Sequence, residues 1–408
     1  MSVRRVAAFS VHTSPLARPG RGDSGGMNVY LRSLVGALSR AGVACDVFTR
    51  RPGPQEPTVV DLGGGARVIH IDAGPEGPLP KELQFAVLDQ FTDAVRVFME
   101  HEPEGYSALH AHYWLSGVVA HRLKHELNLP LVATFHTLGL VKAASGVGDE
   151  PAPRIAAELD VIRCADVIIA STPNEEHELL TRYGADPAHV EIIAPGVDHA
   201  MFSPLGRSDA KALLGLGSAP MVLFAGRIQP LKGGELAVRA FAALGARDAT
   251  LVIVGEPSGS HGEAEAARLR ALVDECDLND RVRFVGSVAH EDLGDFYRAA
   301  DVCVVPSHTE SFGLVALEAA ACGTPVVAAS VGGLQSIVDD GRTGFLVASR
   351  EPLAFAAAID KILADPQYAT EMSAAAVERS RRYSWNLTAA RLRRLYSDLS
   401  AREPVKCR

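Results

Sequence analysis

The sequence predicts an α/β protein made of two doubly wound domains, and three observations lead to this class. Short β-rich runs alternate with helical segments along the whole chain. Such alternation is typical of parallel sheets covered by helices on both faces. The pattern occurs twice, on either side of a stretch rich in turn-forming residues, Pro195–Pro204. We therefore predict a first domain at residues 1–203, a second at 204–384, and a C-terminal helix with a tail at 385–408.

The elements of the first half follow from this alternation. The predicted strands are Val6–Val11, Ala44–Thr49, Arg67–Ile71, Ala108–Ala111, Leu131–Phe135, Val167–Ala170 and Val190–Ile193. The segments between them fit helices at Met27–Ser39, Lys81–Met99, Ser116–Glu126, Arg154–Arg163 and Asn174–Tyr183.

The second half repeats the arrangement. Its predicted strands are Met221–Ala225, Leu251–Val254, Arg283–Val285, Val302–Val305, Val326–Ala328 and Phe345–Val347, with helices in most of the gaps. The segment Trp385–Leu399 is an amphipathic helix that we expect to pack back on the first domain.

Composition and charge exclude several classes of function. The chain has 408 residues, of which 47% are hydrophobic and 22% are charged, the balance of a soluble globular protein. Its 40 basic and 49 acidic residues give a net charge of −9. Because nucleic-acid-binding proteins usually present a basic face, nucleic acid is not the expected partner.

Cysteine usage and the N-terminus favour a cytoplasmic protein. No segment approaches the ~20 apolar residues of a membrane span, and the N-terminus lacks the apolar core of a signal peptide. The six cysteines form no CxxC pair and show no zinc spacing, so we expect buried free thiols rather than disulfides. They are Cys45, Cys164, Cys276, Cys303, Cys322 and Cys407.

The most informative motif is a pair of carboxylates eight positions apart, Glu310 and Glu318. The first lies on a predicted loop after a strand, and the second is expected two turns into the following helix. Ligands of α/β sheets bind in the crevice outside the carboxyl ends of the strands. Carboxylates there suit a sugar, because charged acceptors bind hydroxyl groups more strongly than neutral ones.

A glycine pair, Gly25-Gly26, connects the first strand to its helix. Two glycines at a helix N-terminus let backbone N–H groups approach an anion closely. An ordinary tight turn has the same sequence pattern, so the pair alone leaves both interpretations open.

Two cations follow the first strand of the second half, Arg227 and Lys232. Most Arg and Lys side chains are solvated surface charges. At the carboxyl end of a domain's first strand, however, a pair of cations suits a diphosphate.

Histidines and residues with hydroxyl groups lie at the carboxyl ends of two predicted strands of the first half. A metal site is disfavoured, because no further ligand accompanies the histidines at a standard zinc spacing. Structural histidines are common, and we expect these residues to line a polar cleft. They are His110, His112, Tyr113, His136 and Thr137.

Together these motifs resemble the retaining glycosyltransferases of family 4. The resemblance rests on Glu310 and Glu318, on Arg227 with Lys232, and on the Gly25-Gly26 loop, and it covers nearly the whole chain. It implies the GT-B fold, in which two Rossmann-like domains face each other across a cleft. The first domain would hold an acceptor and the second a nucleoside-diphosphate sugar.

The resemblance also implies roles for individual residues on the donor side. Arg227, Lys232 and the glycine pair would stabilise the charge on the leaving diphosphate. Glu318 would bind the ribose hydroxyls, Glu310 the hydroxyls of the donor sugar, and His136 would contact that sugar or a developing charge. Further donor-binding residues would be Phe312, Gly313 and Leu314. No cofactor is required, no metal is catalytic, and any Mg²⁺ present would not be a catalytic ion.

Four stretches of the first half are most similar to family members that start mycothiol biosynthesis: His12–Leu16, Gly22–Tyr30, His112–Gly117 and His136–Leu138. These enzymes transfer N-acetylglucosamine from UDP-GlcNAc to 1D-myo-inositol 3-phosphate. Their acceptor phosphate and inositol ring would here contact Asn28, Lys81, Tyr113, Thr137 and Arg154.

The sequence leaves the acceptor open. The stretch Lys142–Asp149 departs from the pattern of those enzymes. An enzyme of a natural-product pathway, acting on an unphosphorylated aminocyclitol or with another nucleoside-diphosphate sugar, is the first alternative. A catalytically silent sugar-nucleotide-binding regulator is a more distant one, since Arg227, Lys232 and Glu310 are all present. The oligomeric state is equally open, and a homodimer is compatible with the sequence.

Overall fold

The computed structural model describes residues 3–18, 20, 24–147, 150–259 and 261–407, and only the backbone of Ala152. The chain forms two compact units. The first unit comprises Met1–Ala17, Gly26–Gly196 and Trp385–Arg408, and the second comprises Arg18–Gly25 and Val197–Ser384.

The first unit is built on an eight-stranded sheet in the order β3-β4-β2-β1-β5-β6-β7-β8. The strands are β1 Arg5–Phe9, β2 Ala44–Arg50, β3 Val59–Gly63, β4 Ala66–Ile71, β5 Ala108–His112, β6 Leu131–Thr134, β7 Val167–Ala170 and β8 Val190–Ile192. All pairs are parallel except β3 with β4. The strand order reverses between β1 and β5, which makes the carboxyl ends of these two strands the expected ligand site.

Helices cover this sheet. They are α1 Gly26–Arg40, α2 Leu88–Glu100, α3 Trp114–Leu127, α4 Gly139–Ala144, α5 Ala152–Cys164 and α6 Pro173–Arg182, with 3-10 turns at Lys81–Val87 and Pro187–His189. The buried β1 and β5 fit the apolar pattern of central parallel strands.

Several elements of the first unit differ from the sequence prediction, and neither α4 nor the 3-10 turn at Pro187–His189 was predicted. The single helix expected at Lys81–Met99 is a 3-10 turn followed by α2, and the break falls at Val87, whose ψ of 5° lies outside the helical region. Strand β3 was not predicted, because its exposed residues lack the apolar alternation that marks a half-buried strand.

The second unit has a six-stranded sheet of parallel pairs in the order β11-β10-β9-β12-β13-β14. Its strands are β9 Met221–Ala225, β10 Thr250–Val254, β11 Val282–Gly286, β12 Val302–Val305, β13 Val326–Ala329 and β14 Gly344–Val347. Its helices are α7 Arg207–Leu213, α8 Gly234–Ala242, α9 Gly262–Glu275, α10 Leu293–Ala299, α11 Leu314–Ala321, α12 Leu334–Ile337, α13 Pro352–Leu363 and α14 Pro366–Ser380, with a 3-10 turn at Pro230–Lys232. Here the order reverses between β9 and β12.

The last helix, α15 Trp385–Ser400, belongs to the first unit, as predicted. The hydroxyl oxygen of its buried Tyr396 lies 2.6 Å from His110 Nδ1. The Thr388 hydroxyl of the same helix donates to the Ala194 carbonyl at 2.8 Å. No helix in the described part of the chain combines the length and apolarity that a membrane crossing needs.

The expectation of free thiols throughout is wrong for one pair. Cys164, at the end of α5, is joined to Cys407 in the C-terminal tail, with Cα atoms 4.5 Å apart. These residues are separated by 243 positions, so local spacing could not reveal their proximity. The other four cysteines are free, and three of them are buried.

Candidate functional site

In the second unit, the predicted donor residues follow the two strands at which the sheet order reverses. Arg227 and Lys232 come after β9, and Glu310 comes after β12. Adjacent parallel strands end at the same edge of a sheet, so these side chains share one crevice.

Arg227 lies beside the glycine loop. Its Nη1 donates to Ser258 Oγ at 3.3 Å. A Cβ atom added to Gly25 would stand 3.1 Å from Arg227 Nε, so any side chain at this position would press on the guanidinium group. Gly25 and Arg227 therefore lie close enough together to contact the same ligand. Gly26 is the exposed first residue of α1 in the first unit.

Lys232 and Glu310 form an ion pair, with 2.6 Å between Nζ and Oε2. Their side chains are 26% and 19% exposed, so the pair borders solvent and a ligand can reach both groups. The Glu310 carboxylate can accept hydrogen bonds from a ligand, and the Lys232 ammonium group holds it in position. In the same crevice Arg227 adds a second positive charge, so the three groups together favour an anion.

The backbone of the Glu310 loop is held by glycines that approach it closely. The Gly333 N–H donates to the Glu310 carbonyl at 2.8 Å. Gly332 has a φ of 48°, and a Cβ atom there would lie 2.0 Å from the same carbonyl oxygen. Arg350 Nη1 braces the start of the loop by donating to the carbonyls of Pro306 and Ser307 at 2.8 and 3.0 Å. The loop is therefore fixed by its own unit before any ligand binds.

Glu318 lies on α11, but nearer to its start than predicted. The helix begins at Leu314, so Glu318 is only just past the first turn; the residues from Glu310 to Gly313 form a loop rather than a helical turn. Glu318 is buried, with 5% of the residue exposed. Its Oε1 lies 2.7 Å from His290 Nε2, and its Oε2 accepts from the Tyr297 hydroxyl at 3.0 Å. Burial and the charge of Glu318 raise the pKa of Tyr297 well above its ordinary value.

The three residues after Glu310 predicted to bind the donor have different environments. Phe312 is buried, with its ring centroid 5.8 Å from that of Tyr383. Gly313 has a φ of 100°, which L side chains rarely adopt, and Leu314 is half-buried. Phe312 therefore supports the loop, whereas the Gly313 backbone opens α11.

In the first unit, two residues at strand ends have strained backbones. Tyr113 follows β5 with a φ of 74°, and His136 follows β6 with a φ of 61°. Non-glycine residues with positive φ cost free energy and cluster at functional sites. The strain therefore supports a functional role for the carboxyl ends of β5 and β6.

The histidines at these strand ends form a stacked group that is neutral near pH 7. His112 Nδ1 and His136 Nε2 lie 3.0 Å apart. Burial, and secondarily the proximity of His12, lower the pKa of His136 to about 3. Burial likewise lowers the pKa of His110 to about 3 and that of His112 well below its usual value. His136 is thus available as a neutral hydrogen-bonding group.

Three predicted acceptor residues from separate stretches of sequence, Tyr113, Thr137 and Arg154, converge in the first unit. Arg154 lies over the Tyr113 ring at 5.0 Å from its centroid, and its Nη2 donates to the Thr137 carbonyl and hydroxyl at 2.7 and 3.0 Å. Burial raises the pKa of the Tyr113 hydroxyl, and the charges of Arg154 and Lys81 oppose that rise.

Arg154 is itself 1% exposed and bound to carboxylates. Its Nε donates to Glu158 at 2.7 Å, and its Nη1 donates to Glu150. Lys142 also donates to Glu150. The Lys81 side chain is 32% exposed and lies 3.7 Å from Glu82. Lys81 is accordingly the more accessible of the two predicted phosphate-binding cations.

Asn28 is tied to the loop after β1. Its Nδ2 donates to Thr13 Oγ1 at 2.8 Å and to the Ser14 carbonyl at 2.7 Å. In the same loop, the His12 ring centroid lies 4.5 Å from that of Tyr113. The structure thus links the predicted inositol-binding Asn28 to the strand-end cluster through this loop.

Sequence reasoning missed several residues of both groups. Gly332-Gly333 follows a predicted strand and could have been recognised as a close-approach motif. His290 and Tyr297 gave no comparable signal, because their contact with Glu318 depends on tertiary packing. Glu150 lies four residues before Arg154, a spacing that indicates a helical ion pair, but the prediction considered only a ligand for Arg154.

Comparisons with known proteins agree with the predicted class. A family model described as "Glycosyltransferase Family 4" matches residues 24–201, and one described as "Glycosyl transferases group 1" matches residues 209–379. A D-inositol 3-phosphate glycosyltransferase of Kineococcus radiotolerans is 47% identical, over 95% of this chain and 94% of its own. The D-inositol 3-phosphate glycosyltransferase 2 of Catenulispora acidiphila is 46% identical, over 97% of this chain and 95% of its own. The solved structure of a sucrose-phosphate synthase from Thermosynechococcus elongatus has a TM-score of 0.91 and 38% identity, over 98% of this chain and 99% of that one.

Proposed function

The chain belongs to the family 4 glycosyltransferases, and we propose that it transfers N-acetylglucosamine from UDP-GlcNAc to 1D-myo-inositol 3-phosphate with retention at the anomeric carbon. It is a glycosyltransferase with two parallel-sheet α/β domains, as its motifs predicted. The acceptor, the donor and the stereochemistry are the proposed part.

The contacts among Tyr113, Thr137 and Arg154 carry the acceptor proposal, and the charge of Lys81 acts on the same Tyr113 hydroxyl. Two cations and two hydroxyl groups offer a phosphate group charge-assisted and neutral hydrogen bonds from several directions. The names of the relatives from Kineococcus and Catenulispora give inositol 3-phosphate as their acceptor, which supports the same choice.

The donor proposal rests on the family resemblance and on the chemistry of the second unit. Arg227 and Lys232 suit a diphosphate, and Glu318 suits the two hydroxyls of a ribose. Glu310 would accept from the hydroxyls of the sugar while Lys232 holds its carboxylate in place. The identities of uracil and of N-acetylglucosamine come from the resemblance alone.

The proposed reaction needs little covalent chemistry from the protein. The acceptor oxygen forms a bond to the anomeric carbon as the bond from that carbon to the diphosphate oxygen breaks, and the acceptor proton passes to the leaving diphosphate. Arg227 and Lys232 would stabilise the negative charge that develops there. The neutral His136 would act as a hydrogen-bonding group and not as a general acid, because its low pKa keeps the imidazole unprotonated near pH 7.

A matrix of donors and acceptors with mass detection tests the function. UDP-GlcNAc and other sugar nucleotides are each combined with inositol 3-phosphate, free inositol and an aminocyclitol. We expect UDP-GlcNAc with inositol 3-phosphate to give the highest kcat/KM, because binding energy from the phosphate orients the reacting hydroxyl. Faster turnover of an aminocyclitol would replace this proposal with the natural-product alternative.

Variants of the proposed phosphate contacts refine the test. Arg154→Ala is unsuitable, since it removes the cation that neutralises the fully buried Glu158, and breaking a buried ion pair costs about 3–5 kcal/mol of stability. Lys81→Met keeps the length of the side chain and removes its charge. It should lower kcat/KM for inositol 3-phosphate by roughly 10–100-fold, the value of one charged hydrogen bond, and leave free inositol unchanged.

A second variant and a control complete this test. Glu150→Gln removes a carboxylate that competes with the phosphate for Arg154, so we expect a lower KM for inositol 3-phosphate. Arg96→Met changes a cation on the surface of α2 that pairs with Glu100, and it should affect neither acceptor. Equal slowing of phosphorylated and free acceptors by Lys81→Met would contradict the phosphate contact.

A further inference from the structure

A cluster of four potential metal ligands lies in the first unit, apart from the residues considered above. His121 and His125 are four positions apart on α3 and therefore project from the same face of the helix. Cys164 is the last residue of α5, and Cys407 is in the C-terminal tail. His125 Nε2 lies 3.0 Å from Cys407 Sγ and 3.2 Å from Cys164 Sγ, and His121 Nε2 lies 3.3 Å from Cys407 Sγ.

The four ligand atoms all lie within 4.8 Å of one another. Among the described residues this is the group of histidines, cysteines and carboxylates compact enough to surround one ion. Zinc bound at ~2.3 Å by sulfur and ~2.0 Å by nitrogen places its tetrahedral ligands about 3.3–3.8 Å apart. The distances from histidine to cysteine already fall close to that range.

Hydrogen bonds to Asp166 and from Lys124 hold this cluster together independently of the sulfur atoms. The Asp166 carboxylate accepts from Lys124 Nζ at 2.6 Å, from the Leu131 N–H at 2.7 Å and from the Val405 N–H at 2.6 Å. Lys124 Nζ also donates to the Cys164 carbonyl at 2.6 Å. Asp166 thus ties together three segments: α3, which bears the histidines, the end of α5, and the tail two residues before Cys407.

We propose that the reduced protein binds one zinc ion through His121, His125, Cys164 and Cys407, and that this ion fastens the C-terminal tail to α3 and α5. Two thiolates and two imidazoles are a ligand set that zinc prefers. Four protein ligands leave no open position, which is typical of a structural site rather than a catalytic one.

The position of the cluster in the fold agrees with a structural role. The end of α3 leads into β6 and Cys164 leads into β7, so the cluster lies at the amino ends of these strands. The acceptor candidates Tyr113 and Thr137 follow β5 and β6 at the opposite, carboxyl ends. The ion would therefore stabilise the attachment of α15 and the tail without contacting the reacting groups.

The disulfide between Cys164 and Cys407 represents the alternative state of the same two residues. Zinc and the disulfide exclude each other, because both thiolates are needed as ligands. The disulfide alone gives no reason for two imidazole nitrogens to lie 3.0–3.3 Å from the sulfur atoms. A tetrahedral ion accounts for all four positions, after the two sulfur atoms separate to about 3.8 Å.

Metal titration of the full-length protein tests the proposal. The chain is reduced, freed of metal and reductant under an inert atmosphere, and titrated with Co²⁺ and then with Zn²⁺. We expect one Co²⁺ per chain, with thiolate-to-cobalt charge-transfer absorption and the intense visible bands of tetrahedral cobalt, and displacement by one equivalent of Zn²⁺. Absence of tetrahedral cobalt absorption in the reduced protein would overturn the proposal.

Variants distinguish a zinc site from a cysteine pair. His121→Ala with His125→Ala keeps both cysteines but should abolish the tetrahedral signal and the rise in unfolding temperature that Zn²⁺ gives the wild type. Cys276→Ser removes a partly exposed cysteine elsewhere and should change neither. Undiminished cobalt binding in the double histidine variant would contradict the assignment.

A count of thiols in denaturant identifies the state of the protein as purified. A zinc-bound or reduced chain contains six reactive thiols, whereas the disulfide form contains four. We expect six thiols and one zinc per chain after purification without oxidant. Four thiols and no zinc in every preparation, together with no uptake after reduction, would establish the disulfide as the only role of the pair.

Discussion

Replacing Lys232 with alanine should separate catalysis from stability. The pair of Lys232 with Glu310 is partly exposed, at 26% and 19%, and ion pairs of this kind contribute about 0.5–1 kcal/mol to stability. A preorganised group that stabilises transition-state charge is worth about 2.7–4 kcal/mol, or 10²–10³ in kcat. Lys232→Ala should therefore lower kcat by about 10²-fold or more while lowering the free energy of unfolding by about 1 kcal/mol.

The assay is steady-state turnover of UDP-GlcNAc, with urea unfolding of each variant measured in parallel. Lys211→Ala is the control, because Lys211 pairs with Asp301 at 2.7 Å and its side chain is more buried than that of Lys232, at 11% against 26%. Asp301 immediately precedes β12, so this second pair lies at the opposite end of the strand from Glu310. The control should lose at least as much stability and retain kcat.

A double-mutant cycle then asks whether Lys232 acts on the diphosphate or only through Glu310. If Lys232 merely orients Glu310, the double variant Lys232→Ala/Glu310→Gln will be no slower than Glu310→Gln alone. We expect it to be slower, since the ammonium group would contact the leaving group directly. Near-wild-type kcat in Lys232→Ala, or a double variant equal to Glu310→Gln, would refute the reasoning.

Two further outcomes are expected. Glu318→Gln should weaken binding of free UDP in calorimetry, because a charged acceptor is replaced by a neutral one; unchanged affinity would mean that the carboxylate serves only His290 and Tyr297. The neutral His110 and His136, with pKa values lowered to about 3, should make the fold sensitive to acid. Below the unfolded-state pKa of ~6.5, these histidines bind protons in the unfolded chain but not in the folded chain. The stability is therefore complete above pH 6.5 and falls toward pH 3, by about 1.4 kcal/mol per pH unit for each histidine. Urea unfolding at pH 7 and pH 5 should show a smaller fall for His110→Asn than for the wild type, and an equal fall would exclude this histidine as a source.

The sequence predicted the elements and the strand ends well, because both depend on local pattern. Most strands differ from the prediction by one or two residues, and Arg227, Lys232 and Glu310 follow the predicted strands in the second unit. Parallel strands bring such residues to one edge of a sheet, so short-range periodicity was sufficient to group them. The fold class and the glycosyltransferase family were therefore accessible before any coordinates.

Interactions among distant residues could not be predicted in the same way. The pairing of Cys164 with Cys407 and the contact of Tyr396 with His110 each join segments more than 200 positions apart. Strand β3 was missed because an exposed edge strand has no apolar face to give it periodicity. Tertiary packing decides which distant side chains become partners, and local sequence patterns carry no information about it.

The acceptor site shows why the identity of a partner matters for function. Arg154 and Lys142 are matched by Glu150 and Glu158, so this part of the cluster carries no net charge. A phosphate group would therefore be recognised by directed donors and by Lys81, rather than by a broad positive field. Of the two carboxylates, Glu158 is fully buried and also accepts from the Gly139 N–H at 2.9 Å, so it is fixed. Glu150 is the exchangeable one, and exchange of Glu150 for a phosphate on Arg154 would bind the acceptor while preserving the charge balance of the buried guanidinium group.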